Sequence, residues 1–197
     1  MVLYRERKLN RLRSRDYSRP GWYFVTVCCK NMKCWLGKIE NNKFIPNKYG
    51  QIVKNQWLWL ENHFQYLKFD EWVIMPNHVH GIIGIVGGVG NGRDRSVHGN
   101  DIGGFVHGND IGGFVQGNDI GGFVQGELKS ISELIGAFKT TSSKMIHQEG
   151  LSDFKWHKSF YDRIIRNMAE LERIRFYIKN NPKLWYRDRN NLGVNNH

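Results

Sequence analysis

Between Gly87 and Gly126 the chain carries a stretch that a packed core cannot use. It holds 14 of the 22 glycines, and Val97–Phe105 reads Val-His-Gly-Asn-Asp-Ile-Gly-Gly-Phe. The same nine residues return at 106–114, and again at 115–123 with Gln116 in place of the histidine. A nine-residue period with Gly, Asn and Asp invites comparison with calcium-binding β-rolls. Here, however, three residues rather than one separate Gly-Gly from Gly-Asn-Asp, and three copies are few for a solenoid that must bury its faces between neighbours. The composition is that of a glycine-rich linker. Residues 87–126 are therefore expected to be an insertion, and the fold must close from 21–86 and 127–187 as a single domain. A loop tip tolerates such added length.

That division also localises the charge. Lys and Arg number 29 against 18 Asp and Glu, a net +11, while the insertion contributes −2 through Arg93 and Arg95 against Asp94, Asp101, Asp110 and Asp119. The basic character thus belongs to the remainder. Strong basicity with 13% aromatic residues points to a polyanion with stackable faces, that is, nucleic acid. No apolar run reaches membrane-spanning length, and Met1–Lys8 lacks the apolar stretch of a signal peptide. Cys28, Cys29 and Cys34 are an odd set without secretory context, so a disulfide framework is not expected and the thiols read as buried packing. The expectation is a cytoplasmic, basic globular protein without a membrane partner.

Flanking the insertion, local patterns alternate between two periods. Trp22–Lys30 is β-branched and aromatic and predicts a strand, with a further short strand at Phe44-Ile45. Residues 47–62 predict a helix, with Ile52, Val53, Trp57 and Leu60 on one face. Tyr66–Met75 and His78–Val86 predict two strands joined by a Pro76-Asn77 turn. Ser130–His147 predicts a helix, Phe160–Arg166 a strand, and a last helix starts at Asn167 with Glu170 three residues on. It stops before Pro182. The order β, α, β, β, α, β, α predicts an α+β domain: a ferredoxin-like antiparallel sheet with helices on one face, plus a C-terminal helix carrying Tyr177. Residues 1–20 form a basic arm, and 188–197 a polar tail.

Three features bear chemistry. His78 and His80 flank Val79 on a strand, so both imidazoles project from one face as a two-ligand metal site lacking its third ligand. The plain alternative is a pair of structural histidines. On the last helix Tyr177 borders the stripe Met168, Leu171, Ile174 and Ile178, one turn before Asn181. Packing with a single hydrogen bond is the plain alternative there. A phenol oxygen can attack phosphorus if it loses its proton and the phosphate's charge is neutralised. A divalent ion on the histidines would do the latter, with the Asn181 amide oxygen as a further hard ligand. Finally, seven Lys and Arg in residues 1–19, Arg11, Arg13 and Arg15 among them, read as an arm along a phosphate backbone. Residues 155–189 carry ten against four acids, interleaved with aromatics, as single strands require.

Taken together, Met75–His80, Trp156–Arg163 and Tyr177–Pro182 resemble motifs of the IS200/IS605-like transposases that carry a single catalytic tyrosine, closest to the REP-associated tyrosine transposases. The resemblance covers about residues 12–187 apart from the insertion. It implies a metal-dependent endonuclease and strand transferase that acts on single-stranded DNA beside a hairpin, through a 5′-phosphotyrosine link and a free 3′-OH. It implies magnesium or manganese on His78, His80 and Asn181, and Tyr177 as nucleophile. Tyr161 is the competing tyrosine, in a motif read as structural. Arg11, Arg13, Arg15, Lys158, Arg163 and Arg166 are expected to contact DNA, and the protein to be a monomer or a homodimer. Two rivals stay open: a hairpin- or single-strand-binding protein without catalysis, and a metal-water phosphoesterase. The first would be favoured by His78, His80 and Tyr177 lying too far apart to share one phosphate; the second needs another strong ligand.

Overall fold

A computed structural model describes residues 20–86 and 129–191. Arg11, Arg13, Arg15 and the nine-residue repeats lie outside the described residues. Among the described residues, six strands and three α-helices follow in the order β1 (Gly21–Cys28), β2 (Gly37–Glu40), β3 (Lys43–Pro46), α1 (Lys48–His63), β4 (Leu67–Met75), β5 (His78–Ile85), α2 (Ile131–Gln148), β6 (Tyr161–Ile165) and α3 (Met168–Asn180). A 3-10 helix, Pro182–Arg187, continues from α3. The main sheet is β4-β5-β1-β6, antiparallel throughout. Setting the small β2–β3 hairpin aside, this is the βαββαβ arrangement of a ferredoxin-like sheet. In chain order the stretch expected to be an insertion lies between β5 and α2.

Local chemistry accounts for the boundaries. Asn47 caps α1 by accepting from the backbone N–H groups of Tyr49 and Gly50. Ser130 and Glu133 form a reciprocal capping box on α2. Asn167 accepts from Glu170 N at the start of α3, while the Glu170 carboxylate takes the N–H of Arg166 instead of closing the box. The hairpin β2–β3 extends the single short strand expected at Phe44-Ile45. Asn41 and Asn42 adopt φ of 49° and 61°, the left-handed pair that a two-residue hairpin turn demands. Four-residue strands with alternating charges carry too little apolar pattern to be visible beforehand.

The two faces of the sheet pack against different helices. Tyr23, Val25, Val27, Val79, Ile83 and Ile85 meet Val53, Trp57, Leu60, Leu134 and Phe138 in the larger core, formed with α1 and α2. Ile82 and Ile165 on the other face meet Leu171 and Ile178 of α3, with Phe24, Val73 and Ile174 packed around them. The tyrosine helix therefore covers the face opposite the other two. Two glycines let indoles approach: a Cβ on Gly81 would lie 2.3 Å from Cζ2 of Trp57, and one on Gly84 would lie 2.8 Å from Cζ3 of Trp22. Because β-strand side chains alternate, His78 and His80 share the α3 face with Ile82.

Candidate active site

His80 stands directly opposite Thr26 in the β1–β5 register, and His78 opposite Cys28. Both imidazoles are buried, at 0% and 2% exposure. The Thr26 hydroxyl lies 2.8 Å from His80 Nδ1. Tyr177 descends from α3 onto the other ring nitrogen, its Oη 3.1 Å from His80 Nε2. Phe24 holds this pair by stacking on His80, centroids 5.5 Å apart, and meeting Tyr177 edge-on at 6.2 Å. Phenol and imidazole pair are thus neighbours on one side of the sheet, within a single chain.

His78 has a determined tautomer. Asn77 Nδ2 donates to the carbonyls of Met32 and Asn190, which orients its Oδ1 toward His78 Nδ1 at 2.7 Å. An amide oxygen only accepts, so Nδ1 must carry the proton and Nε2 keeps its lone pair. That nitrogen is buried and takes no hydrogen bond. It faces Asp188 Oδ2 at 3.7 Å, itself buried without a hydrogen bond. Asp188 Oδ1 is occupied by the Asn190 N–H at 2.7 Å. Asn181, 3% exposed, also has a buried side-chain oxygen without a partner.

Orphaned buried acceptors are costly, and an imidazole nitrogen facing a carboxylate oxygen could hold a divalent cation. Ligand atoms of His78, His80 and Asp188 all lie within 4.8 Å of one another. Asp188 falls in the stretch expected to be a polar tail. No sequence signal marks it, because it reaches His78 only through the Pro182–Arg187 turn and the Asn77–Asn190 contact. The roles of Thr26, set by strand register, and of Asn77, set by its contacts with Met32 and Asn190, could not be read from the sequence.

Burial sets the titration of the site. It pushes the His78 pKa down to about 3, with the Arg189 charge adding to the effect. Burial, then the His78 and Arg189 charges, hold His80 well below its usual range. Both rings stay neutral, the form that ligates a metal. Burial raises Tyr177 above the ordinary phenol value, helped by Asp188, while the Asn181 side chain and Arg189 oppose the rise. Burial also pushes the Cys28 thiol up to about 11, Arg189 lowering and Asp188 raising it, so it stays protonated beside His78. Only Cys29 is buried; Cys28 is half-buried and Cys34 exposed, a correction to the packing expected for all three.

The other expected residues are placed around this centre. Lys158 and Arg166 are exposed, and Arg163, on the α3 face of β6, pairs with the buried Glu170. Lys158 follows His157, whose N–H donates to Cys28 O, so its segment runs beside the end of β1 that faces the histidines. Tyr161 stands across β1 from His80, with Thr26 opposite both, and its ring lies 6.3 Å from that of Phe24. No described helix is long and apolar enough to cross a membrane.

Over 182 residues, 92% of this chain and 91% of the other, the sequence is 30% identical to an uncharacterized protein of Haemophilus influenzae. The chain belongs to that protein's family. No family model matches the sequence. Among solved structures, this family member is similar to a REP-associated tyrosine transposase bound to a REP hairpin. The TM-score is 0.51 at 17% identity, covering 93% of this chain and 73% of that one. This is a likeness of fold, and it agrees with the four-stranded antiparallel sheet and its helices.

Proposed function

We propose that the protein is a metal-dependent, transposase-like endonuclease and strand transferase that cuts single-stranded DNA next to a hairpin, with Tyr177 as nucleophile. The observation that carries this reading is the 3.1 Å contact between Tyr177 Oη and His80 Nε2, beside the unpartnered His78 Nε2 and Asp188 Oδ2. His78, His80 and Asp188, with the Asn181 oxygen, would hold magnesium or manganese. When bound, the ion supplies charge neutralisation and orientation of a phosphate oxygen. Likeness of fold to a hairpin-bound tyrosine transposase supports the substrate class.

Tyr177 then acts as follows. As its Oη–phosphorus bond forms, the bond from phosphorus to the 3′-oxygen breaks, leaving a 5′-phosphotyrosine and a 3′-hydroxyl. The displaced oxygen takes a proton from solvent. A neutral imidazole nitrogen that holds a cation has no second lone pair, so His80 Nε2 would serve either the phenol or a cation. With that nitrogen engaged by a cation, Tyr177 would turn its hydroxyl from the ring toward the phosphate and release its proton to solvent. The Asn181 side chain favours the ionised phenol, which counters the raising effect of burial. The phosphotyrosine bond retains the phosphodiester's energy, so rejoining to another 3′-hydroxyl needs no nucleotide cofactor. Lys158, Arg163 and Arg166 extend the surface for the strand.

Asp188 favours a second reading. Two imidazoles and a carboxylate also form the ligand set of hydrolytic metal sites, which need no covalent link to the tyrosine. Incubation with a hairpin oligonucleotide and manganese separates the two. A covalent protein–DNA complex is expected on a denaturing gel, absent with EDTA and absent in Tyr177→Phe, which should still bind the hairpin. Cleavage with multiple turnover and no adduct would establish the hydrolytic reading instead.

A further inference from the structure

A cavity of about 350 Å³ opens beside Tyr177, between α3 and the β1–β6 edge of the sheet. Attack by Tyr177 on phosphorus leaves it unused. Phe24 meets two phenol rings there, Tyr161 at 6.3 Å and Tyr177 at 6.2 Å, with interplanar angles of 68° and 87°. Both phenols are large aromatics left substantially open to solvent, at 36% and 41%. Ile174 of α3 adds an apolar wall, and Arg163 and the exposed Arg173 complete the basic lining.

Glu170 gives the cavity a chemical preference. Only 4% exposed, it contributes to the lining and uses Oε2 to accept the Arg166 N–H. Its Oε1 pairs with the Arg163 guanidinium, which also lines the cavity. A carboxylate oxygen has two lone pairs, so one beside a guanidinium keeps a position for a second donor. Aromatic faces, cations at the rim and one carboxylate in the lining are complementary to a nucleotide: a base to stack, a phosphate to pair and an amino group to donate. The volume lies at the low end for ligand pockets, suited to one base and not to a duplex.

We propose that this cavity receives one unpaired nucleobase bearing an exocyclic amino group, from the strand whose phosphate is presented to Tyr177. Adenine, cytosine and guanine carry such a group; thymine offers carbonyl oxygens on either side of its single N–H, and these face the carboxylate unfavourably. Tyr161 is then a stacking wall, and Glu170 a specificity residue. The proposal rests on the single-strand reading of the function, so its test measures binding separately from cleavage.

Fluorescence anisotropy in EDTA, with a DNA hairpin carrying a single-stranded flank, provides that test. Each flank nucleotide is replaced in turn by an abasic site. One position should lose about tenfold in affinity, the worth of one base–aromatic stack. At that position adenine, cytosine and guanine should bind more tightly than thymine. Tyr161→Ala should abolish the abasic penalty and Tyr161→Phe retain it, each checked for an unchanged melting temperature. Glu170→Gln, which keeps an acceptor for Arg166 N and adds an amide donor, should shift the preference toward thymine. A flank insensitive at every position to within about twofold would overturn the pocket while leaving an observed adduct, and hence the enzymatic reading, intact. Retention of the wild-type penalty by Tyr161→Ala would overturn it equally. Failure to bind any hairpin or single strand would remove both.

Discussion

Arg175 ties the tyrosine helix to the sheet, and removing it is expected to loosen the site without touching it. Its Nε donates to Asp70 Oδ1 at 2.8 Å and its Nη2 to Oδ2, a forked pair, while Nη1 reaches Glu172. The side chains are 21% and 14% exposed, and the neighbouring Lys179 pairs with Glu71 at 2.7 Å. An exposed pair contributes about 0–1 kcal/mol and a fully buried one about 3–5 when broken, so this half-buried fork should couple by about 2 kcal/mol. Arg175→Met, which keeps the aliphatic packing, should lower the melting temperature by about 4–8 °C. A double-mutant cycle with Asp70→Asn isolates the coupling from those packing changes. Burial pushes the Asp70 carboxyl up, but the Arg175 and Glu71 hydrogen bonds and the Arg175 and Lys179 charges outweigh it and hold the carboxyl below its ordinary value of 3.8. A depressed carboxylate stabilises the fold above the unfolded pKa and loses that contribution as pH falls through the folded one. The coupling should therefore be full at neutral pH and vanish in acid below the usual carboxylate range. A coupling under about 0.5 kcal/mol at pH 7, or one unchanged in acid, would refute the clamp.

Manganese should raise the melting temperature of the wild type by mass action, and His78→Ala with His80→Ala should remove that rise. Asp188→Asn should weaken manganese affinity at least about tenfold by titration calorimetry; an unchanged affinity would exclude the carboxylate as a ligand. Lys158→Ala with Arg166→Ala should reduce the slope of log K against log salt for single-stranded DNA by about 0.7 for each phosphate no longer neutralised; an unaltered slope would take both residues off the DNA path.

Much of this site was legible because local rules write it into adjacent residues. Strand alternation puts His78 and His80 on one face whatever the rest of the fold does, and helical spacing puts Asn181 one turn beyond Tyr177. Composition alone carries the expectation of an insertion, while the order of strands and helices was legible from hydrophobic period. What those rules lack is any knowledge of which faces meet. Only the packing of Leu171 and Ile178 on Ile82 and Ile165 carries α3 to the histidine face, opposite α1 and α2. Register alone sets Thr26 across from His80. Asp188 joins through a turn and the Asn77–Asn190 contact, with 110 positions separating it from His78. Short-range periodicity is a property of the backbone and can be read along the chain. The meeting of distant side chains is a property of a closed core, and it arises only when the apolar faces are buried against one another.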